Sequence, residues 1–470
     1  MAQSDLWRAD AATLSTKLNE GTVTSLDLVE MYLARCERLQ PILNAFVFLD
    51  RQGALRAAEQ ADARQRAGRR RGPLDGIPIS IKDNLFVGGI AATWGSLLFE
   101  HHIPERDDIC VERLRAAGAV IIGKTATPEF ALMGRTQSRL HGITRNPWNP
   151  RLTPGGSSGG AVAAVAAAMA PLAIGTDAGG STRMPAAYTG LVGLRPSNGR
   201  VPRRYGFPPM ALDFQAIGLI ARTMDDIYLM LSALSGADPR DPSSINLPAL
   251  APLERTPRIG WFTNVGDETI DKEVEEAHRQ AREVLTSLGY RLEECAPPYD
   301  VAELRSLWDT ITAVGAARVA LPFVRWKVDL TDQISELVER GVRVTAVDYV
   351  RAVDKLQEFR SQTAANWGSF DALLLPTTAA PAWPAEDEFP ATIGGQPGSG
   401  ATQAMFCGWV NALGFSGLNV PGLPHLDGRP IGLQLVAPFG RDGIAMQIGR
   451  ELERSLPWSY RWPSLAEDHQ

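Results

Sequence analysis

At 470 residues, 44% hydrophobic and 21% charged, the chain has the make-up of an ordinary globular protein, long enough for one large α/β domain or for two or three smaller ones. A formal net charge of −6 argues against a nucleic-acid surface. Cys36, Cys110, Cys295 and Cys407 stand far apart with no paired spacing, which excludes a disulfide frame and a zinc site and suits reduced thiols of a cytoplasmic protein.

The start, MAQSDLWRADAATLSTKLNE, has no basic head followed by an apolar run, so no secretory signal is expected. Residues 1–72 read as helices. In TSLDLVEMYLARCERL, Leu26, Val29, Leu33 and Cys36 share one face, and Thr24 with Asp27 makes a capping box. From GIPISIKDN onward, apolar strands, glycine turns and helices alternate, marking 73–235 as an α/β core. The Pro- and Asp-rich passage 236–257 reads as a surface linker. Residues 258–402 read as a helical insertion with substrate-side loops, mostly helical to about 360 and then a strand in DALLLPTTAAPAWP. Residues 403–470 return to the core as a strand and a helix. The longest apolar stretch, 161–174, is mostly alanine and holds Pro171, too mild to span a bilayer.

Some motifs fail their own context. Gly118-Ala-Val-Ile-Ile-Gly123-Lys124-Thr125 matches the phosphate-loop pattern letter for letter. A phosphate loop sits between a strand and a following helix, whereas here the helix comes first, AVII is a buried strand and Pro128 follows. His101 and His102 with Asp107 and Asp108 suggest a metal cluster, but adjacent histidines point apart and no HExxH accompanies them. Gly155-Gly156-Ser157-Ser158-Gly159 fits the GxSxG elbow of α/β-hydrolases. That elbow needs a strand just before the serine, and RNPWNPRLTP with its three prolines is not one. His425 or His278 would have to serve as the base of such an esterase.

The stretch from Arg151 to Ala186, RLTPGGSSGGAVAAVAAAMAPLAIGTDAGGSTRMPA, holds the stronger signal. Ser157 and Ser181 stand 24 positions apart, each framed by glycine, with seven alanines among residues 161–170. The alanine run reads as a tightly packed helix behind Ser157 and Ser158, PLAIGTD as a buried strand, and GGS as the opening of a second helix. Hydroxyls at helix starts lie among free backbone N–H groups, and paired glycines let those amides approach a substrate oxygen. Histidine is absent from the segment, but Lys82 ends the strand IPISIK, and a lysine that loses its proton through desolvation acts as a base.

These segments together resemble the amidase signature family of Ser–Ser–Lys hydrolases. GIPISIKDN, RNPWNP…TPGGSSGGAVAAVAA, GTDAGGSTRMPAAYTGLVGLRPS and GRPIGLQLVAPFG match the family pattern in order and spacing, over nearly the whole chain. The resemblance implies one α/β domain, a large, mixed, twisted β-sheet surrounded by helices. It implies Ser181 as nucleophile, Ser157 on a cis peptide bond as proton relay, and Lys82 as base. It further implies an oxyanion hole of the Ala178, Gly179, Gly180 and Ser181 amides, with Ser158, Asp177 and Arg183 in support. No cofactor and no metal follow from it, so chelators are expected to leave activity unchanged.

The substrate implied is a small-molecule amide, an aryl amide above all, or a carbamate; neither nucleic acid nor membrane is an expected partner. The protein is expected to be a monomer or homodimer. Aromatic and sulfur side chains in nearby loops, Trp94, Met133, Tyr205, Phe207, Met210 and Phe214, form the expected pocket. Ala178, Thr182, Gln215 and Leu219 depart from the usual family residues, which bears on the pocket more than on the reaction. Two alternatives stay open: an amidotransferase component that works with partner chains, and an esterase that uses His425.

Overall fold

The computed structural model describes residues 3–248, 250 and 255–467. Part of the expected linker, 249 and 251–254, lies outside the described residues. In chain order the main sheet holds β1 (Phe46–Leu49), β2 (Pro78–Lys82), β3 (Val120–Thr125), β4 (Leu172–Asp177), β5 (Val192–Arg195), β6 (Ala216–Ala221), β7 (Arg258–Trp261), β8 (Arg291–Glu294), β9 (Ala372–Pro376), β10 (Ser416–Pro421) and β11 (Gly432–Ala437). They lie in the order β1-β3-β2-β4-β6-β5-β10-β11-β9-β7-β8. β2 runs parallel to β3 and β4, and β7 parallel to β8 and β9. Every pairing from β4 through β6, β5, β10 and β11 to β9 is antiparallel, as is β1 with β3. The sheet is therefore mixed and spans residues 46 to 437, so the chain folds as one α/β domain.

Side chains alternate between the two faces of a strand, and the core follows that alternation. Ile79, Ile81, Ile174 and Leu374 bury against the helices Ile109–Ala116, Met224–Leu234 and Asp442–Ser455. Val120 and Ile122 meet the alanine-rich segment and the helix Ser25–Leu43 on the other side, where Leu373 and Leu375 also pack under Leu304, Leu307 and Phe359. Ser80 and Lys82 interleave with Ile79 and Ile81, so they point to this second side. That parity is what delivers the lysine to the site.

The helix Ser25–Leu43 opens with the expected capping box: Asp27 N donates to Thr24 Oγ1, and Thr24 N to Asp27 Oδ2. The phosphate-loop look-alike ends as β3, where Lys124 Nζ lies 3.2 Å from Asp83 Oδ1 and both side chains are fully buried. Residues 258–360 are mostly helical, as expected, with two short strands that the sequence did not mark. Two short strands, β7 and β8, extend the sheet there, and the long amphipathic helix Lys272–Ser287 connects them in parallel. Four-residue strands carry too little alternation to register against such neighbours. Among the described residues no helix is long and apolar enough to cross a membrane.

Candidate active site

The alanine run forms the helix Gly159–Ala166, buried at every position and packed on β2, β4 and β6. Methyl side chains allow so close an approach. Chain leading into it is tight: the Gly156–Ser157 peptide is cis, and a Cβ on Gly156 would lie 2.5 Å from Met133 O. After β4 the chain passes through Ala178–Thr182 into the helix Arg183–Thr189. Ser181 therefore precedes that helix by two residues instead of opening it. Gly180 has φ +116°, and a Cβ there would come within 2.7 Å of Cys407 Cβ. Only glycine fits both demands. The two loops are joined where Ser158 N donates to Ser181 O at 3.1 Å, and Ser158 Oγ donates to Thr176 O at 3.3 Å.

Lys82 is the buried centre of this arrangement. Its Nζ lies 2.7 Å from Ser157 Oγ and 3.1 Å from Thr176 Oγ1, and Asn84 Nδ2 donates to the same threonine oxygen at 2.9 Å. Complete burial pushes the Lys82 pKa down to about 7, although the negative charge of Asp177 works the other way. An amine with that pKa is available in its neutral form near neutral pH.

Ser157 and the half-buried Ser181 both line one cavity of about 390 Å³, together with Gly156, Thr176, Ala178 and Gly179. The four expected oxyanion amides are not equivalent. Gly180 N donates to Asp177 Oδ1 at 2.8 Å, so that amide is committed to holding the loop. The N–H groups of Ala178, Gly179 and Ser181 make no hydrogen bond among the described residues. Asp177 also accepts from Thr182 N at 3.1 Å and from Arg183 Nε at 3.0 Å. Burial acts to raise the Asp177 pKa, but Arg183 beside it holds the carboxyl well below the usual carboxylate range.

The expected pocket residues divide. Met133 and Met210 line the cavity. Trp94, Phe207 and Phe214 do not; they are 2%, 4% and 0% exposed. Trp94 stacks on Phe207 at 4.6 Å and packs against Phe130 at 5.1 Å, so these rings form a cluster behind the wall, which only Phe130 reaches. Tyr205 stands elsewhere, under the Arg106 guanidinium. The physical reason is burial: large rings in loops contribute more in a dry cluster than on a wet wall.

Sequence reasoning missed the opposite wall. Val301, Leu304, Arg305, Trp308 and Asp309 line the cavity from one face of the helix Val301–Ala320. Their spacing of three and four is a helical stripe that carried the signal. Trp383, Phe389 and Met405 add apolar surface from the loops after β9. Neither histidine takes part: His278 Nε2 lies 3.0 Å from Leu374 O, and His425 pairs with Asp427 away from the cavity.

A family model described as Amidase matches residues 27–445. The chain belongs to the amidase family. This amidase is 31% identical to an acylamidase of Rhodococcus erythropolis, over 99% of both chains. It is 32% identical to the A subunit of the glutamyl-tRNA(Gln) amidotransferase of Thermosynechococcus vestitus, over 94% of this chain and 97% of that one. The solved structure of a bacterial aryl acylamidase of the amidase signature family superposes with a TM-score of 0.89 at 26% identity, covering 97% of this amidase and 98% of that chain. The family makes it an amide-hydrolysing enzyme.

Proposed function

We propose that this amidase cleaves aryl amides, and carbamates beside them, through an acyl-enzyme on Ser181. The observation that carries the reading is the buried Lys82–Ser157 contact at 2.7 Å, beneath a cavity that also exposes Ser181. Ser181 Oγ attacks the carbonyl carbon while its proton passes through Ser157 to neutral Lys82, which Thr176 helps to hold. The oxyanion meets the free amides of Ala178, Gly179 and Ser181, each donor worth roughly 2.7–4 kcal/mol of barrier. Asp177 and Arg183 anchor the loop that bears those amides. The amine leaves with a proton returned by the relay, and water then releases the acyl group.

The cavity supports a broad apolar substrate. Met133, Met184, Met210 and Met405 lie among the rings of Phe130, Trp308 and Trp383, and methionine walls adapt to ligands of differing shape. In a carbamate the second heteroatom donates into the carbonyl, so cleavage leans harder on the oxyanion donors. Loss of the amine leaves a carbonate ester on Ser181, whose hydrolysis gives an alcohol and carbon dioxide.

The test is product analysis on a matched anilide and N-phenyl carbamate, with small aliphatic amides as competitors. Release of aniline from both aryl substrates is expected; faster turnover of small aliphatic amides would refute the aryl reading. Hydrolysis by the isolated chain also separates this reading from that of an amidotransferase component, which needs partner chains. The pH dependence follows from Lys82. The base works when neutral, and its neutral fraction grows as pH rises through about 7. The rate kcat/KM is expected to climb through that range and level off above it. A maximum below pH 6 would contradict a lysine base.

A further inference from the structure

A tryptophan stands beside the loop that carries Ser181. Trp308 reaches it from the helix Val301–Ala320, and its ring atoms Cη2, Cζ3 and Cζ2 would lie 3.1, 3.4 and 3.6 Å from a Cβ placed on Gly179. Gly179 stands two residues before Ser181 and lines the same cavity. Behind Trp308 lies Phe214, fully buried, with ring centroids 6.0 Å apart. The helix is held by Arg305, which pairs with Glu268 at 2.6 Å. The indole is thus a supported, half-buried surface beside the reacting centre.

On the proposed mechanism the proton relay sets how a substrate lies in the cavity. The departing nitrogen takes its proton from Ser157, so the amine lies on the side of Ser157 and Gly156. That side backs onto Met133, whose carbonyl abuts Gly156, and onto Phe130. The carbonyl oxygen turns to the free amides of the 178–181 loop. The remaining substituent, the acyl group, is then left to the helix wall that carries Trp308.

Resting on that reading, we infer that Trp308 is a specificity-determining residue for the acyl group, selecting amides whose acyl part carries a flat aromatic ring. An offset or edge-on ring pair adds to the burial of the ring itself, and together these are expected to weigh about tenfold or more in kcat/KM. A small acyl group such as acetyl leaves the indole face unused.

Two p-nitroanilides with the same leaving amine test this, one phenylacetyl and one acetyl. Wild type should prefer the phenylacetyl substrate. Trp308→Ala should lower the preference for phenylacetyl over acetyl, the ratio of the two kcat/KM values, about tenfold or more, chiefly through the KM of the phenylacetyl substrate; Trp308→Phe should recover most of the loss. Equal falls for both substrates, or no preference in wild type, would overturn the inference. Phenylacetyl-anilide binding to the Ser181→Ala protein, measured by calorimetry with and without Trp308→Ala, reads the same contact without turnover. Weaker binding in the double variant is expected, and unchanged binding overturns the role of Trp308. Persistent turnover by Ser181→Ala would instead remove the proposed nucleophile.

Discussion

Ser181→Ala is expected to remove turnover of every amide, a fall on the order of 10⁴-fold or more, with the folded state unchanged. The hydroxyl lies in the cavity and no hydrogen bond of its Oγ holds the fold together; the structural tie at this residue is its carbonyl, which accepts from Ser158 N. Lys82→Ala should fall nearly as far. On the proposed relay the loss is of the proton acceptor for Ser157, so residual activity should no longer rise through pH 7. Lys82→Arg separates base from donor. A guanidinium still donates to Ser157 and Thr176 but does not give up its proton in the accessible range, so it should be as inactive as alanine. Circular dichroism and thermal unfolding establish that each variant is folded, and single-turnover kinetics measure the chemical step. A folded Lys82→Ala protein with wild-type rates would end the relay.

How far the sequence revealed this site depends on the range of the signal. Lys82, Ser157 and Ser181 stand out because each is fixed by its own short neighbourhood: a strand whose alternation sets the lysine's face, and glycines demanded by a carbonyl at Gly156 or by a positive φ at Gly180. The Gly180 amide could not be assigned this way, because its bond to Asp177 depends on how the loop turns. Pocket rings were harder still. Residue type marks Trp94 and Phe207 as valuable to bury, yet says nothing of which partner covers them; they chose each other, and Phe130 took the wall. Trp308 comes from 127 positions beyond Ser181 in the chain, and only the fold brings its helix over Gly179. β7 and β8 belong to the same class: each is four residues long, and the pairing of β7 with β9 and of β8 with β7, rather than local preference, makes them strands.

Asp177→Asn should be the costliest substitution that leaves shape nearly intact. The carboxylate accepts from Gly180 N, Thr182 N, Arg183 Nε and Nη2 and Asn411 Nδ2, all between 2.8 and 3.1 Å. Arg183 is buried completely with it. Removing the negative charge strands a guanidinium whose other partners, Cys407 O, Gln434 and Asn411, are neutral. Breaking such a pair costs about 3–5 kcal/mol. Its pH dependence has a definite sign. The folded carboxyl is held below its ordinary value of 3.8, so the stabilisation is full above about pH 4 and fades as pH falls through the lower, folded value. Denaturant unfolding at pH 7 and again at pH 3 should therefore show a large gap between wild type and variant that narrows with acid. A gap that is constant across this range would mean that Asp177 acts by shape and not by charge. Adding Arg183→Met should restore part of the stability, since the stranded cation is gone. It should not restore activity: Asn offers one acceptor oxygen where the carboxylate offered two, so Gly180 N and Thr182 N can no longer both be held, and the Ala178, Gly179 and Ser181 amides lose the anchor that aims them. Stability regained without turnover is the result that ties this buried pair to the loop it holds.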